Sequence, residues 1–135
     1  MWIGTLLGAV TIVVLHFIPY RLRNELYGSL LVGIAGIYVG FAINDGRPSA
    51  VWIEGLAAIV FLVFTMTGRH LSVYWIGIGY MLHGLWDYAH DTILVDTQVT
   101  SGYPSFCGIY DVIIGVYIVA AVFMKNRAAT YRRSE

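Results

Sequence analysis

The sequence predicts an all-α integral membrane protein: a single domain, 1–135, formed by a bundle of about five transmembrane helices, with the N-terminus outside and the C-terminus cytoplasmic. Three observations predict it. The 135 residues are 59% hydrophobic and only 12% charged, against roughly 25% charged in an average soluble domain, and a chain this short cannot hide so much apolar surface from water. Five apolar stretches are each close to the ~20 residues needed to cross a bilayer core at 1.5 Å per residue. When these five are threaded alternately, Lys and Arg collect on one side.

The approximate spans are 2–19, 28–44, 51–67, 72–94 and 107–124. The first, within "MWIGTLLGAVTIVVLHFIP", lacks the basic start of a signal peptide and reads as a retained helix. The breaks between spans carry charge or turn signals: "PYRLRNELY", "NDGRPSA", "GRHLS" and "VDTQVTSGYPSF". The polar tail "KNRAATYRRSE" reads as a solvated cytoplasmic end. Helices are the spanning element, because lone strands would leave backbone groups unsatisfied in lipid.

With five spans, one side holds Arg21, Arg23, Arg69, Lys125, Arg127, Arg132 and Arg133, and the other holds only Arg47. A four-span threading would mix the two sides. The basic side is cytoplasmic by the positive-inside rule, which places the chain in the cell (inner) membrane. Trp2, Trp52, Tyr74 and Trp75 lie near span ends and read as interfacial anchors. Glycines punctuate the spans at Gly4 and Gly8, at Gly33, Gly36 and Gly40, and at Gly77, Gly79 and Gly84. They let helix backbones approach closely within one bundle, or, through Gly36 and Gly40, between two copies.

Net charge is zero, so no basic field points to nucleic acid. A single cysteine excludes an internal disulfide framework and a multi-cysteine metal cluster.

The functional signal is "HGLWDYAHD", His83 to Asp91, where two histidines and two aspartates fall within an otherwise apolar helix. At about 100° per residue, His83, Asp87 and His90 lie within about 60° of one another, with Asp91 beside that stripe. The fourth span starts inside, so His83 sits about 16 Å along it and His90 about 27 Å, near the outer surface. Glu54 is one turn into the third span from outside and Asp111 one turn into the fifth. Glu54, Asp87, His90 and Asp111 therefore reach similar depth from three helices. Ionisable groups inside a membrane cost several kcal/mol and mark function, so they are expected to converge in a pocket that opens outward.

Two chemistries fit. His83, Asp87 and His90 offer two nitrogens and a carboxylate, a ligand set for a divalent or transition metal ion such as Fe, Zn, Mn or Cu, with Glu54 and Asp111 completing or orienting it. Without a metal, Glu54, Asp87 and Asp111 beside imidazoles form an acid–base set for catalysis on a hydrophobic or lipid-like small molecule. The bland alternative is a hydrogen-bonded network that fixes helix register. Cys107, one turn before Asp111, is either a further ligand or a small buried filler. His16 and His70 lie at the inner side, far from this layer. Tyr80, Tyr88, Tyr103 and Tyr110 are candidate hydrogen-bond donors, and the loop "VTSGYPSF" a candidate lid.

"IGIGYMLHGLWDYAHD" followed by "YPSFCGIYDVIIGVY" resembles an uncharacterised family of small bacterial integral membrane proteins that carries a domain-of-unknown-function label. Its pattern is G-x-G-[WY]-x-x-H-x-x-W-D-x-x-H-H, a short loop with Pro and Ser, then C-x-x-x-D. Gly77, Gly79, Tyr80, His83, Trp86, Asp87, His90, Cys107 and Asp111 match it, and Asp91 stands where the pattern has a second histidine. The resemblance covers the last two spans and implies that the polar set is a family feature. It implies no activity. The reading is a membrane enzyme catalysing hydrolysis, isomerisation or cyclisation, or oxidation. The runners-up are a small proton or metal-cation transporter and a structural membrane subunit.

Overall fold

A computed structural model describes residues 2–91 and 97–133, with Asp91 and Arg133 described in their backbone alone. It contains five helices: α1 (Trp2–His16), α2 (Tyr20–Asp45), α3 (Pro48–His70), α4 (Tyr74–Asp91) and α5 (Tyr103–Arg133). Three of them, α2, α3 and α5, are long and apolar enough to cross a membrane. At 15 residues α1 is apolar but shorter. In α4, the histidines and aspartates of the polar stripe lower the hydropathy of an 18-residue helix.

The helix ends follow local chemistry. Pro19, which fixes its own φ and disfavours a helical residue before it, separates α1 from α2. Gly46, at φ 78°, takes the left-handed position that closes α2, and its N–H bonds the carbonyls of Ala42 and Ile43. Pro48 then occupies the first turn of α3, where a missing N–H costs nothing. The Ser72 hydroxyl accepts the Tyr74 N–H at 3.3 Å and starts α4. Gly102, also at φ 78°, precedes α5.

Two elements run further than hydropathy suggests. The segment "YRLRNELY", expected as a break, is the first two turns of α2. The tail after Met124 continues α5 to Arg133. Arg, Leu, Glu and Ala are good helix formers whatever their polarity, so the helices outlast the apolar segments. Asn44 and Asp45, expected in a loop, are the last residues of α2. The end of the expected fourth span, 92–94, lies outside the described residues.

The bundle is ordered α1–α5–α4–α3–α2, with α2 also reaching α4. Neighbours in this order run antiparallel, except α1 and α5. Gly4 faces Phe106 and Gly8 faces Ile113, so those two run in parallel. Glu54 meets His90, Phe61 meets His83 and Gly68 meets Ile76 along the α3–α4 seam. This topology gathers Arg21, Arg23, Arg69, Lys125, Arg127 and Arg132 at one end of the bundle, the basic end, and leaves Arg47 at the other. There Arg47 forms a bidentate pair with Asp45 at 2.7 and 2.8 Å.

The bundle's polarity is inverted relative to a soluble protein. Leu6, Val10, Val13, Leu56, Val60, Val63, Leu85 and Val116 point outward, while Glu54, His83, Asp87 and Asp111 are each no more than 1% exposed. The apolar core, formed by residues such as Leu31, Phe61, Ile76, Tyr80 and Ile114, lies between these acids and the basic end.

Candidate metal centre

A close helix crossing builds the site. Along α4 and α5, Gly77 faces Gly115 and Gly84 faces Gly108. A Cβ on Gly84 would lie 3.1 Å from the Gly108 carbonyl, and one on Gly115 2.8 Å from that of Gly77. The two backbones are in contact. His83 and Cys107 sit next to Gly84 and Gly108, and Asp87 and Asp111 lie three residues beyond those glycines. His83 and Asp87 share one face of α4 at i,i+4, and Cys107 and Asp111 share one face of α5 at the same spacing.

The polar residues fall into two adjoining sets. In the first, His83 Nδ1 lies 2.7 Å from Asp111 Oδ2 and 3.4 Å from Asp87 Oδ2. The Tyr38 hydroxyl, from α2, donates a short hydrogen bond to Asp87 Oδ1. Cys107 Sγ lies 4.0 Å from Asp111 Oδ2. Phe61 packs edge-on against the His83 ring at 4.6 Å between centroids and closes the α3 side.

In the second set, Glu54 Oε1 lies 2.8 Å from His90 Nε2 and accepts the Thr97 hydroxyl at 2.8 Å, while Oε2 accepts the Trp86 indole N–H at 3.1 Å. His90 Nδ1 is 2.9 Å from the Trp86 carbonyl. A carbonyl can only accept, so Nδ1 carries a proton, and a second proton lies between Nε2 and Glu54. The pair is fully satisfied. The Tyr38 ring joins the sets, 5.6 Å from the His83 ring and 4.5 Å from that of His90.

The sets differ in what they leave unmet. Among the described residues, His83 Nε2, Asp87 Oδ2 and Asp111 Oδ1 are buried and have no hydrogen-bond partner. Such groups cost about 1–3 kcal/mol each. One imidazole also faces two carboxylates, so one carboxylate still needs a proton or a cation. Ligand atoms of His83, Asp87, Cys107 and Asp111, one from each, lie within 4.8 Å of one another. A nitrogen, a sulfur and two oxygens at that separation fit one metal ion. Sulfur favours Zn, Fe or Cu over Mg or Ca, which prefer all-oxygen sites.

All five expected site residues, Glu54, His83, Asp87, His90 and Asp111, therefore lie in the half of the bundle away from the basic end. Three fall in the cluster that could hold a metal. Glu54 and His90 lie beside it, and both nitrogens of His90 are already engaged. Sequence reasoning weighed Cys107 and did not name Tyr38. Its signal was weak, a lone tyrosine in the apolar run "GIYVGFAI". Of the segment expected as a lid, 99–106, residues 103–106 are the first turn of α5, and Thr97 and Gln98 lie just before that segment. Gln98 N–H bonds Asp45 Oδ2 at 2.8 Å, which ties this stretch to the end of α2. His16 and His70 are exposed near the basic end, and the Asp91 side chain lies outside the described residues.

A family model described as a family of unknown function, DUF6010, matches residues 1–125. The chain belongs to that family. The match takes in all five helices up to the last turns of α5, and so every residue of both polar sets. No curated protein and no solved structure matches the chain.

Proposed function

We propose that this protein is a five-span enzyme of the cell membrane. Its His83–Asp87–Cys107–Asp111 cluster holds one divalent transition metal ion and acts on a hydrophobic, lipid-like substrate arriving from the outer leaflet. The observation that carries this reading is the set of three buried atoms without a hydrogen-bond partner, His83 Nε2, Asp87 Oδ2 and Asp111 Oδ1, in one cluster. A register-fixing network would satisfy its members, as the Glu54–His90 pair does.

An apolar crevice supports the substrate class. It has a volume of about 560 Å³ and lies between α4 and α5, lined by Leu85, Tyr88, Pro104, Ile109 and Val112 with Gly84 and Gly108 also contributing. That volume suits a drug-sized or acyl-chain ligand. Only glycine separates it from the cluster: a Cβ on Gly108 would lie 3.3 Å from Asp87 Cβ and 3.7 Å from Asp87 Oδ2. A lipid-like molecule in the crevice would lie against Gly84 and Gly108, on the other side of which the acids are buried.

The metal would supply Lewis-acid or redox chemistry there, compatible with hydrolysis, isomerisation or cyclisation, or oxidation. Asp87 and Asp111 hold His83 in register, and Tyr38 fixes Asp87 by its hydrogen bond. Glu54 and His90 hold a proton between them one helical turn from Asp87 and would serve there as an acid–base couple.

Cobalt substitution tests the ligand set. Protein loaded with Co²⁺ is expected to show thiolate-to-cobalt absorption that disappears in Cys107→Ser. His90→Gln should keep both metal and absorption while lowering thermal stability. Metal lost in His90→Gln would move that histidine into the shell, and absorption surviving in Cys107→Ser would remove the thiol from it.

The orientation has its own test. In intact cells a membrane-impermeant maleimide should label a cysteine at Ser101 and spare one at Ala129. The reverse pattern would place the polar half of the bundle in the cytoplasmic leaflet.

A further inference from the structure

At the basic end, away from the candidate metal centre, a second cavity of about 400 Å³ opens between α2 and α5, beside Val73 just before α4. Its rim carries Arg23, Asn24 and Lys125, and its walls include Val73, Ile118 and Val122. Both cations rest against one ring. Arg23 Cζ lies 5.4 Å and Lys125 Nζ 4.8 Å from the centroid of Tyr20. Neither has a carboxylate partner among the described residues. The nearby acid, Glu25, is already paired with Arg69 at 2.8 Å.

Tyr27 gives the independent sign that something binds here. It lines the cavity and is 2% exposed, yet its hydroxyl has no hydrogen-bond partner. The Tyr27 carbonyl is held by the Tyr80 hydroxyl at 2.9 Å, which fixes this turn of α2. Two cations without a carboxylate partner among the described residues, a side-chain amide and a buried hydroxyl thus border a space also lined by Tyr20, Tyr117 and apolar side chains. This is the inventory for an anionic oxygen-rich head joined to a hydrocarbon body.

We propose that this cavity binds the phosphate headgroup of one anionic phospholipid of the leaflet at the basic end. Arg23 and Lys125 meet the phosphate charge, the Tyr27 hydroxyl donates to a headgroup oxygen, and the first methylenes lie along Val73, Ile118 and Val122. The site rests on the chain spanning a membrane and is independent of the metal cluster, so a metal-free protein would leave it standing.

The full chain, purified and delipidated in detergent, is titrated with phosphatidylglycerol, phosphatidylcholine or inorganic phosphate and read by native mass spectrometry. One equivalent of phosphatidylglycerol is expected to bind with at least about tenfold preference over phosphatidylcholine. Lys125→Gln and the Arg23→Gln/Lys125→Gln pair should abolish that preference. Tyr27→Phe should weaken binding several-fold at unchanged thermal stability. Millimolar inorganic phosphate should leave the bound lipid in place. Displacement by inorganic phosphate would show that the site takes free phosphate and overturn the lipid assignment. Equal binding of the two lipids, or a preference that survives Lys125→Gln, would overturn the site itself.

Discussion

Replacing His83 with alanine is expected to lower the unfolding free energy of the metal-free protein by about 3–5 kcal/mol, the cost of breaking a buried ion pair by removing one partner. The imidazole is fully buried and meets two carboxylates, at 2.7 Å to Asp111 and 3.4 Å to Asp87. Without it, both acids face each other in a low-dielectric interior, with Tyr38 alone still donating to Asp87. A second substitution isolates the electrostatic cause. Asp111→Asn added to His83→Ala removes the repulsion and should restore part of the loss, so the double variant is more stable than the single. Denaturant titration in detergent micelles measures both. Strict additivity of the two losses would contradict the account, because the residues would then not act as one cluster.

The second large effect is steric. Gly115→Leu should prevent the α4–α5 crossing and leave little folded protein. A Cβ there would sit 2.8 Å from the Gly77 carbonyl and 3.0 Å from the Met81 backbone nitrogen, neither of which can move aside as a side-chain tip could. Overpacking costs about 1–3 kcal/mol where side chains can adjust, and more where backbone must shift. The contrast is Gly36→Leu on α2, where nothing lies within 4 Å of an added Cβ. That variant should fold with wild-type stability. Thermal melts and yield after size exclusion compare them. Gly36→Leu also probes self-association through the outward face carrying Gly33, Gly36 and Gly40, since a dimer packed there would dissociate.

The sequence made the helices and the position of residues along the bundle axis legible but not the helices' rotation. Apolar run length and turn chemistry located five elements. The Lys and Arg pattern then set one coordinate, position along the bundle axis, which was enough to bring Glu54, Asp87, His90 and Asp111 toward one end. Which side chains touch depends on how each helix is turned and which helices are neighbours, and single-sequence periodicity carries little of that. His83 falls about one turn below the expected layer, yet it pairs with Asp111 because α4 and α5 cross at glycine. His90, on the same stripe, turns to Glu54 because α3 lies on its other side. Tyr38 enters through the α2–α4 contact, which links elements far apart in the chain. Cys107 shares one face of α5 with Asp111 at i,i+4, and its place in the cluster emerges only from the α4–α5 packing.

The most direct test of the central claim, that the His83–Asp87–Cys107–Asp111 cluster is a metal centre, is elemental analysis by plasma mass spectrometry. The purified wild-type protein is measured beside His83→Gln, with anaerobic purification and reconstitution included. The account predicts a near-stoichiometric transition metal in the wild type and its loss in His83→Gln. No metal in the reconstituted wild type, or equal metal in the two proteins, would contradict it.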